Sequence, residues 1–143
     1  MAPLTQNMRD LFAKFTTTED STSQRFGSTG AYIHVGSSTS AFNSNQNSML
    51  GTSTDGSAKG MNSGFPKRND GTLSTAPNIL YYQATFTTSE ANHPWEEWGI
   101  ANASATTTST STKQLMNRVA GAALGTKANT QAWQFSATIT VST

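Results

Sequence analysis

The last stretch of the chain admits only one regular backbone. Trp133, Phe135, Ala137, Ile139 and Val141 alternate without a break against Gln134, Ser136, Thr138, Thr140 and Ser142. A period of two places one set on each face of a β-strand, whereas a helix would scatter both sets around its axis. One apolar and one polar face marks a strand of an antiparallel sheet resting on a core from one side, because doubly covered parallel strands are apolar on both faces. Trp133 is accordingly expected in the core.

The same periodicity recurs upstream. Ala31, Ile33 and Val35 alternate with Tyr32 and His34 between Gly30 and Gly36. Leu80, Tyr82, Ala84 and Phe86 alternate with Ile79, Tyr81, Gln83 and Thr85. Trp95 to Ala101 predicts a further strand with Trp98 and Ile100 on one face, and Pro94 stands ahead of it, where a missing N–H does least harm. Leu115 to Ala120 predicts another, and Gly121 and Gly125 read as a turn before the final strand. Composition agrees: the chain holds 18 serines and 24 threonines, and threonine's branched Cβ suits a pleated surface. About five strands joined by turn-rich connections predict an all-β fold, an antiparallel β-sandwich or jelly-roll-like barrel.

Three segments depart from this pattern. Leu4, Met8, Leu11, Phe12 and Phe15 follow the spacing of one helical face, so residues 1–25 are expected to form a short N-terminal amphipathic helix or arm ahead of a β domain spanning 26–143. That apolar stripe either packs on its own domain or docks on a neighbouring subunit. Residues 37–78 carry seven glycines or prolines and no clear periodicity, although Gln46 to Leu50 can make one helical turn. A loop of that length is expected to be functional or to be ordered by contact. Residues 103–114, ASATTTSTSTKQ, form a low-complexity tract expected at a hairpin loop or an edge.

Candidate chemistry is sparse. A formal charge of +1 supplies no strong field for nucleic acid or an anionic membrane, so neither is an expected partner. The longest apolar runs fall short of the roughly 18 residues that a membrane span requires. Zero cysteines exclude thiol catalysis, disulfides and cysteine-ligated zinc. The eight acidic residues are scattered, and neither a metal nor another cofactor is expected. The glycine pair 121/125 lacks the Gly-Lys-Ser/Thr that would cradle phosphate. His34 falls in the polar register of its strand and reads as a surface or interface imidazole. His93, before Pro94, reads as structural, with pH sensing or catalysis as the alternatives. Glu90, Glu96 and Glu97 lie near Trp95 and Trp98, a grouping that could serve a glycan-binding or interface surface. Adjacent Glu96 and Glu97 point to opposite faces of a strand, however, so they cannot flank one glycosidic bond without a backbone bend. Arg118 is an expected salt-bridge partner for one of them. The chain is therefore expected not to be an enzyme.

From Phe26 onward the motifs AYIHVGSSTSAF, NQNSMLG, GFP, NILYYQATFTTSEANHPWEEWGIANA and MNRVAGAALGTKANTQAWQFSATITVS resemble those of small structural proteins of tailed bacteriophages. In those proteins a strand ending in Phe leads through Ala-Asn to Trp-x-Glu-Trp-Gly, and Asn-Arg, Gly-Thr-Lys and Trp close the domain. The resemblance implies a virion component with a β-sandwich fold, no enzymatic activity and homo-oligomeric packing, a trimer among the options. The absence of fibrous repeats favours the head over a tail fibre. The expectation is a capsid decoration or cement protein, made in the host cytoplasm and placed on the capsid surface, that clamps neighbouring major capsid protein subunits. Its contacts would come from the arm residues Leu4, Met8, Leu11, Phe12 and Phe15, and from Met49 and Leu50 in the long loop. The alternative is a tail or baseplate adhesin that presents Trp95, Trp98, Glu96 and Glu97 to a host glycan. A glycan-processing enzyme is a third reading.

Overall fold

A computed structural model describes residues 26–27, 30–46, 48–51, 57–68, 79–102 and 115–140. Seven strands follow one another: β1 (Tyr32–Gly36), β2 (Ala58–Gly60), β3 (Lys67–Arg68), β4 (Ile79–Phe86), β5 (Pro94–Ala101), β6 (Leu115–Thr126) and β7 (Trp133–Thr140). They form two antiparallel sheets, a four-stranded one in the order β2-β1-β5-β6 and a three-stranded one in the order β3-β4-β7. The described residues are all-β, and among them the sheets stay separate and do not close into the barrel that was one expected form. The N-terminal helix at 4–15, the arm that contains it and the Ser/Thr tract at 103–114 lie outside the described residues.

The alternating segments fill one core between the sheets. Ile33 and Val35 of β1, Trp95 and Ile100 of β5 and Met116 of β6 meet Tyr82, Ala84 and Phe86 of β4 and Ala137 and Ile139 of β7. Full burial of a side chain of this size stabilises by roughly 1.5–3 kcal/mol. The β4–β7 ladder runs unbroken from Ile79↔Thr140 to Phe86↔Trp133, as two strictly alternating strands allow. Trp95 is the aromatic centre, with ring centroids 4.9 Å from Phe86 and 5.0 Å from Trp133 in edge-to-face geometry. It is 1% exposed, and its indole N–H donates to Ala91 O at 2.9 Å.

Several expectations need correction. Trp133 faces the core but is only half-buried, β7 being an edge strand among the described residues; Trp95 is the tryptophan that is fully covered. Trp98 and Ile100 share the core face as expected, and Trp95 joins them out of strict alternation, at the place where the pairing with β6 shifts register between Trp95 and Glu97. Gly121 and Gly125 belong to β6 itself: Ala120 opposes Glu97 and Gly125 opposes Trp95, so residues 121–124 bulge out opposite Glu96 alone. The φ values of 65° at Gly121 and 110° at Gly125 explain why glycines stand there. The segment 37–78 is not one continuous loop, since it contains β2 and β3. Residues 46 and 48–50 are not helical; Asn43 to Gln46 instead form a turn closed by Gln46 N donating to Asn43 O at 3.0 Å.

Candidate functional site

A two-sheet protein ordinarily exposes the outer face of each sheet. The three-stranded sheet does so, with Gln134, Ser136 and Thr138 exposed and Gln83 donating to Ser136 Oγ at 3.2 Å. The four-stranded sheet does not. His34 and Gly36 of β1, Glu97, Gly99 and Ala101 of β5 and Arg118 of β6 are all buried, and the chain that follows β1 folds back over this face. Met49 sits there in a second small apolar cluster with Ala101 and Leu115.

A buried ion pair holds this covering in place. Glu97 and Arg118 are each 0% exposed, and Arg118 Nε donates to Glu97 Oε2. The register pairs Arg118 with Gly99, so Glu97 is its diagonal neighbour across β5 and β6. Glu97 Oε1 accepts from Leu50 N at 3.0 Å and Gly51 N at 2.5 Å. Arg118 Nη1 donates to Ala41 O at 3.3 Å and Gln46 Oε1 at 3.2 Å, and Nη2 donates to Ser40 O at 3.0 Å. Both ends of the covering segment are thereby tied to one charge pair whose hydrogen-bonding groups are engaged, the condition for burying charge at all. Glycines make the close approach possible. A Cβ at Gly99 would lie 2.5 Å from Asn117 O and 3.1 Å from Met49 Sδ, and one at Gly36 would collide with Gly51 O and Glu97 Oε1.

A second polar group lies where the 87–93 corner meets β2. His93 Nδ1 is 2.8 Å from Pro94 O, which can only accept, so Nδ1–H donates there, and Nε2 shares a hydrogen bond with Ser57 Oγ, 3.1 Å away. A hydroxyl hydrogen-bonded to imidazole is the opening arrangement of nucleophilic catalysis. Ser57 is 1% exposed, however, so its hydroxyl is closed to a substrate and the pair ties β2 to β5. Lys127, also 1% exposed, donates from Nζ to Asn92 Oδ1 at 2.8 Å, and its backbone N–H donates to His93 O at 3.3 Å. Glu90 bridges Lys59 at 2.6 Å and accepts from Thr87 N at 2.7 Å and Thr87 Oγ1 at 2.9 Å. Partial desolvation pushes its carboxyl up, but the Lys59 ammonium and Thr87 outweigh that and hold it below the usual carboxylate range.

The sequence-predicted site residues therefore fall into different environments. Trp95 and Glu97 are buried, Trp98 is half-buried against Phe135 at 5.3 Å between centroids, and Glu96 is half-exposed, so the four do not form one open platform for a glycan. Met49 is 4% exposed inside the chain's own packing, whereas neighbouring Leu50 is 50% exposed. His34 is 0% exposed, contrary to a surface imidazole, because the face it points to is itself covered. Ser57 and the burial of Lys127 were not foreseen. The signal for Lys127 was the Gly-Thr-Lys motif, whose lysine meets the asparagine of Ala-Asn. Among the described residues, His, Asp and Glu side chains do not gather into a metal-binding group. No family model, curated protein or solved structure matches this chain.

Proposed function

We propose that this protein is a non-enzymatic β-sandwich component of a tailed-bacteriophage virion, a decoration or cement protein seated on the capsid against the major capsid protein. The observation that carries this reading is the disposal of charge. Side chains are described for seven of the chain's 17 Lys, Arg, Asp and Glu residues, Arg68 of β3 not being among them: Glu97, Arg118 and Lys127 are buried, Lys59 and Glu90 neutralise each other, and Lys67 lies 4.8 Å from the centroid of the Phe65 ring, which leaves Glu96. The described surface is otherwise Ser, Thr, Asn, Gln, Ala and Gly with scattered apolar groups. A lone soluble domain relies on surface charge for repulsion, and a subunit packed into a lattice does not. The motif residues behind the phage resemblance also converge on the internal framework, in the Glu97–Arg118 and Asn92–Lys127 contacts. They secure a rigid body rather than line an open pocket, which suits a part that clamps by shape at several small contacts.

The test is mass spectrometry of purified particles for the chain, followed by cryo-electron microscopy of those particles. Density for the two-sheet body at symmetry-related seams of the capsid is the expected result. Density confined to the tail, or absence of the chain from particles, would overturn the proposal.

A further inference from the structure

Two sheets present four edges, and three of them carry the features by which monomeric proteins discourage pairing with another strand. β2 is three residues long and bears Lys59, and β3 is two residues long, directly after Pro66. β6 is interrupted by the 121–124 bulge. β7 differs: its eight residues, Trp133–Thr140, contain no charge, no proline and no glycine, and they run in regular register along β4. Among the described residues, β4 is its one strand partner. Alternate N–H and C=O groups of an antiparallel strand point away from its neighbour, so on its outer side β7 presents a row of backbone groups that no strand among the described residues takes up.

We infer that the outer edge of β7 pairs antiparallel with β7 of a second copy across a two-fold axis, which extends the β3-β4-β7 sheet from one subunit into the next. The strand's own pattern selects this occupant. In a two-fold pairing centred on Ser136, Gln134 opposes the partner's Thr138 and Ser136 opposes its own equivalent, so the exposed face stays polar, uncharged and free of repulsion. On the other face Phe135 opposes the partner's Ala137, and Trp133 opposes the partner's Ile139. Trp133 and Phe135 are the inward residues of β7 that the chain itself leaves half-buried, while Ala137 and Ile139 are 4% and 2% exposed. An added strand supplies cover where it is lacking. Across residues 115–140 the two charged side chains, Arg118 and Lys127, are both buried, so this stretch of chain presents no accessible charge of its own to repel its copy.

This inference rests on the assembly reading for its choice of a self-partner, and solution mass tests it apart from any particle. Sedimentation of the full chain is expected to show an oligomer built from two-fold pairs. Ser136 is exposed, so Ser136→Lys leaves the fold intact, checked by unchanged circular dichroism, yet sets two lysines opposite each other at the axis. That variant is expected to sediment as half the mass of the wild-type species. Mixing it with Ser136→Glu is expected to restore the larger species as a mixed pair. Wild-type chain that sediments as a monomer at all concentrations would overturn the inference. Ser136→Lys that keeps the wild-type mass would also overturn it, and would leave the virion reading standing with its contacts elsewhere.

Discussion

Replacing Arg118 with methionine removes the cation that neutralises a carboxylate with no access to water. Glu97 would keep the Leu50 and Gly51 N–H groups as donors but lose its counter-charge, while Ala41 O and Ser40 O would lose the guanidinium donor and Gln46 Oε1 would keep only the Asn43 N–H. Breaking a buried pair in this way costs about 3–5 kcal/mol, a large share of the roughly 5–15 kcal/mol by which a domain of this kind is stable. The melting temperature should fall by about 10–15 °C for a chain of this length. Removing both charges, as Glu97→Met with Arg118→Met, leaves no stranded carboxylate, so the double variant should recover most of the loss and show a coupling of more than about 2 kcal/mol. The segment that covers the sheet would still lack its tether. Limited proteolysis should therefore cut within residues 37–51 of the double variant faster than in the wild type, even where global stability is restored. Calorimetry and urea titration of the four proteins measure the cycle. A single variant that loses under 1 kcal/mol, or a double variant as unstable as the two singles added together, would refute the reasoning.

Gly99→Ala should destabilise by about 1–3 kcal/mol through overpacking, because its Cβ would press on the Asn117 carbonyl and on Met49; urea denaturation measures it. Trp95→Ala should cost about 3–5 kcal/mol and more than Trp133→Ala, since Trp95 is fully covered and Trp133 is not; equal losses in thermal melts would argue against this core. Burial pushes the Tyr82 phenol well above its ordinary range. The folded state therefore holds this proton more tightly than the unfolded chain, so the contribution is fully present below about pH 10 and declines as pH rises beyond it. Tyr82→Phe should flatten that alkaline loss in melts recorded across the range.

Period-two alternation was enough to locate β1, β4, β5, the start of β6 and β7, because burial on one face of a pleated strand is a local property of residues two apart. It also marked the inward sets, from Ile33 and Val35 to Ala137 and Ile139. Charge patterning along adjacent strands was enough to suggest Arg118 as a partner for a glutamate. Local pattern cannot say which strand lies at an edge, and that is why Trp133 looked like core while Trp95 fills it. It cannot foresee a break in regular pairing either, and at such a break between Trp95 and Glu97 the alternation along β5 lapses and Trp95 lies on the core face. The outer face of the four-stranded sheet was illegible for a further reason. Its cover is a polar segment that binds through backbone groups to one buried ion pair, and backbone donors and acceptors carry no sequence signature. His34, Glu97 and Lys127 look like surface residues by type, and the tertiary structure buries them by bringing distant chain across them. The sequence by itself determined five of the seven described strands and most of their inward faces through local periodicity. Only the tertiary structure decided which polar residues became interior locks, because that depends on contacts between segments dozens of residues apart.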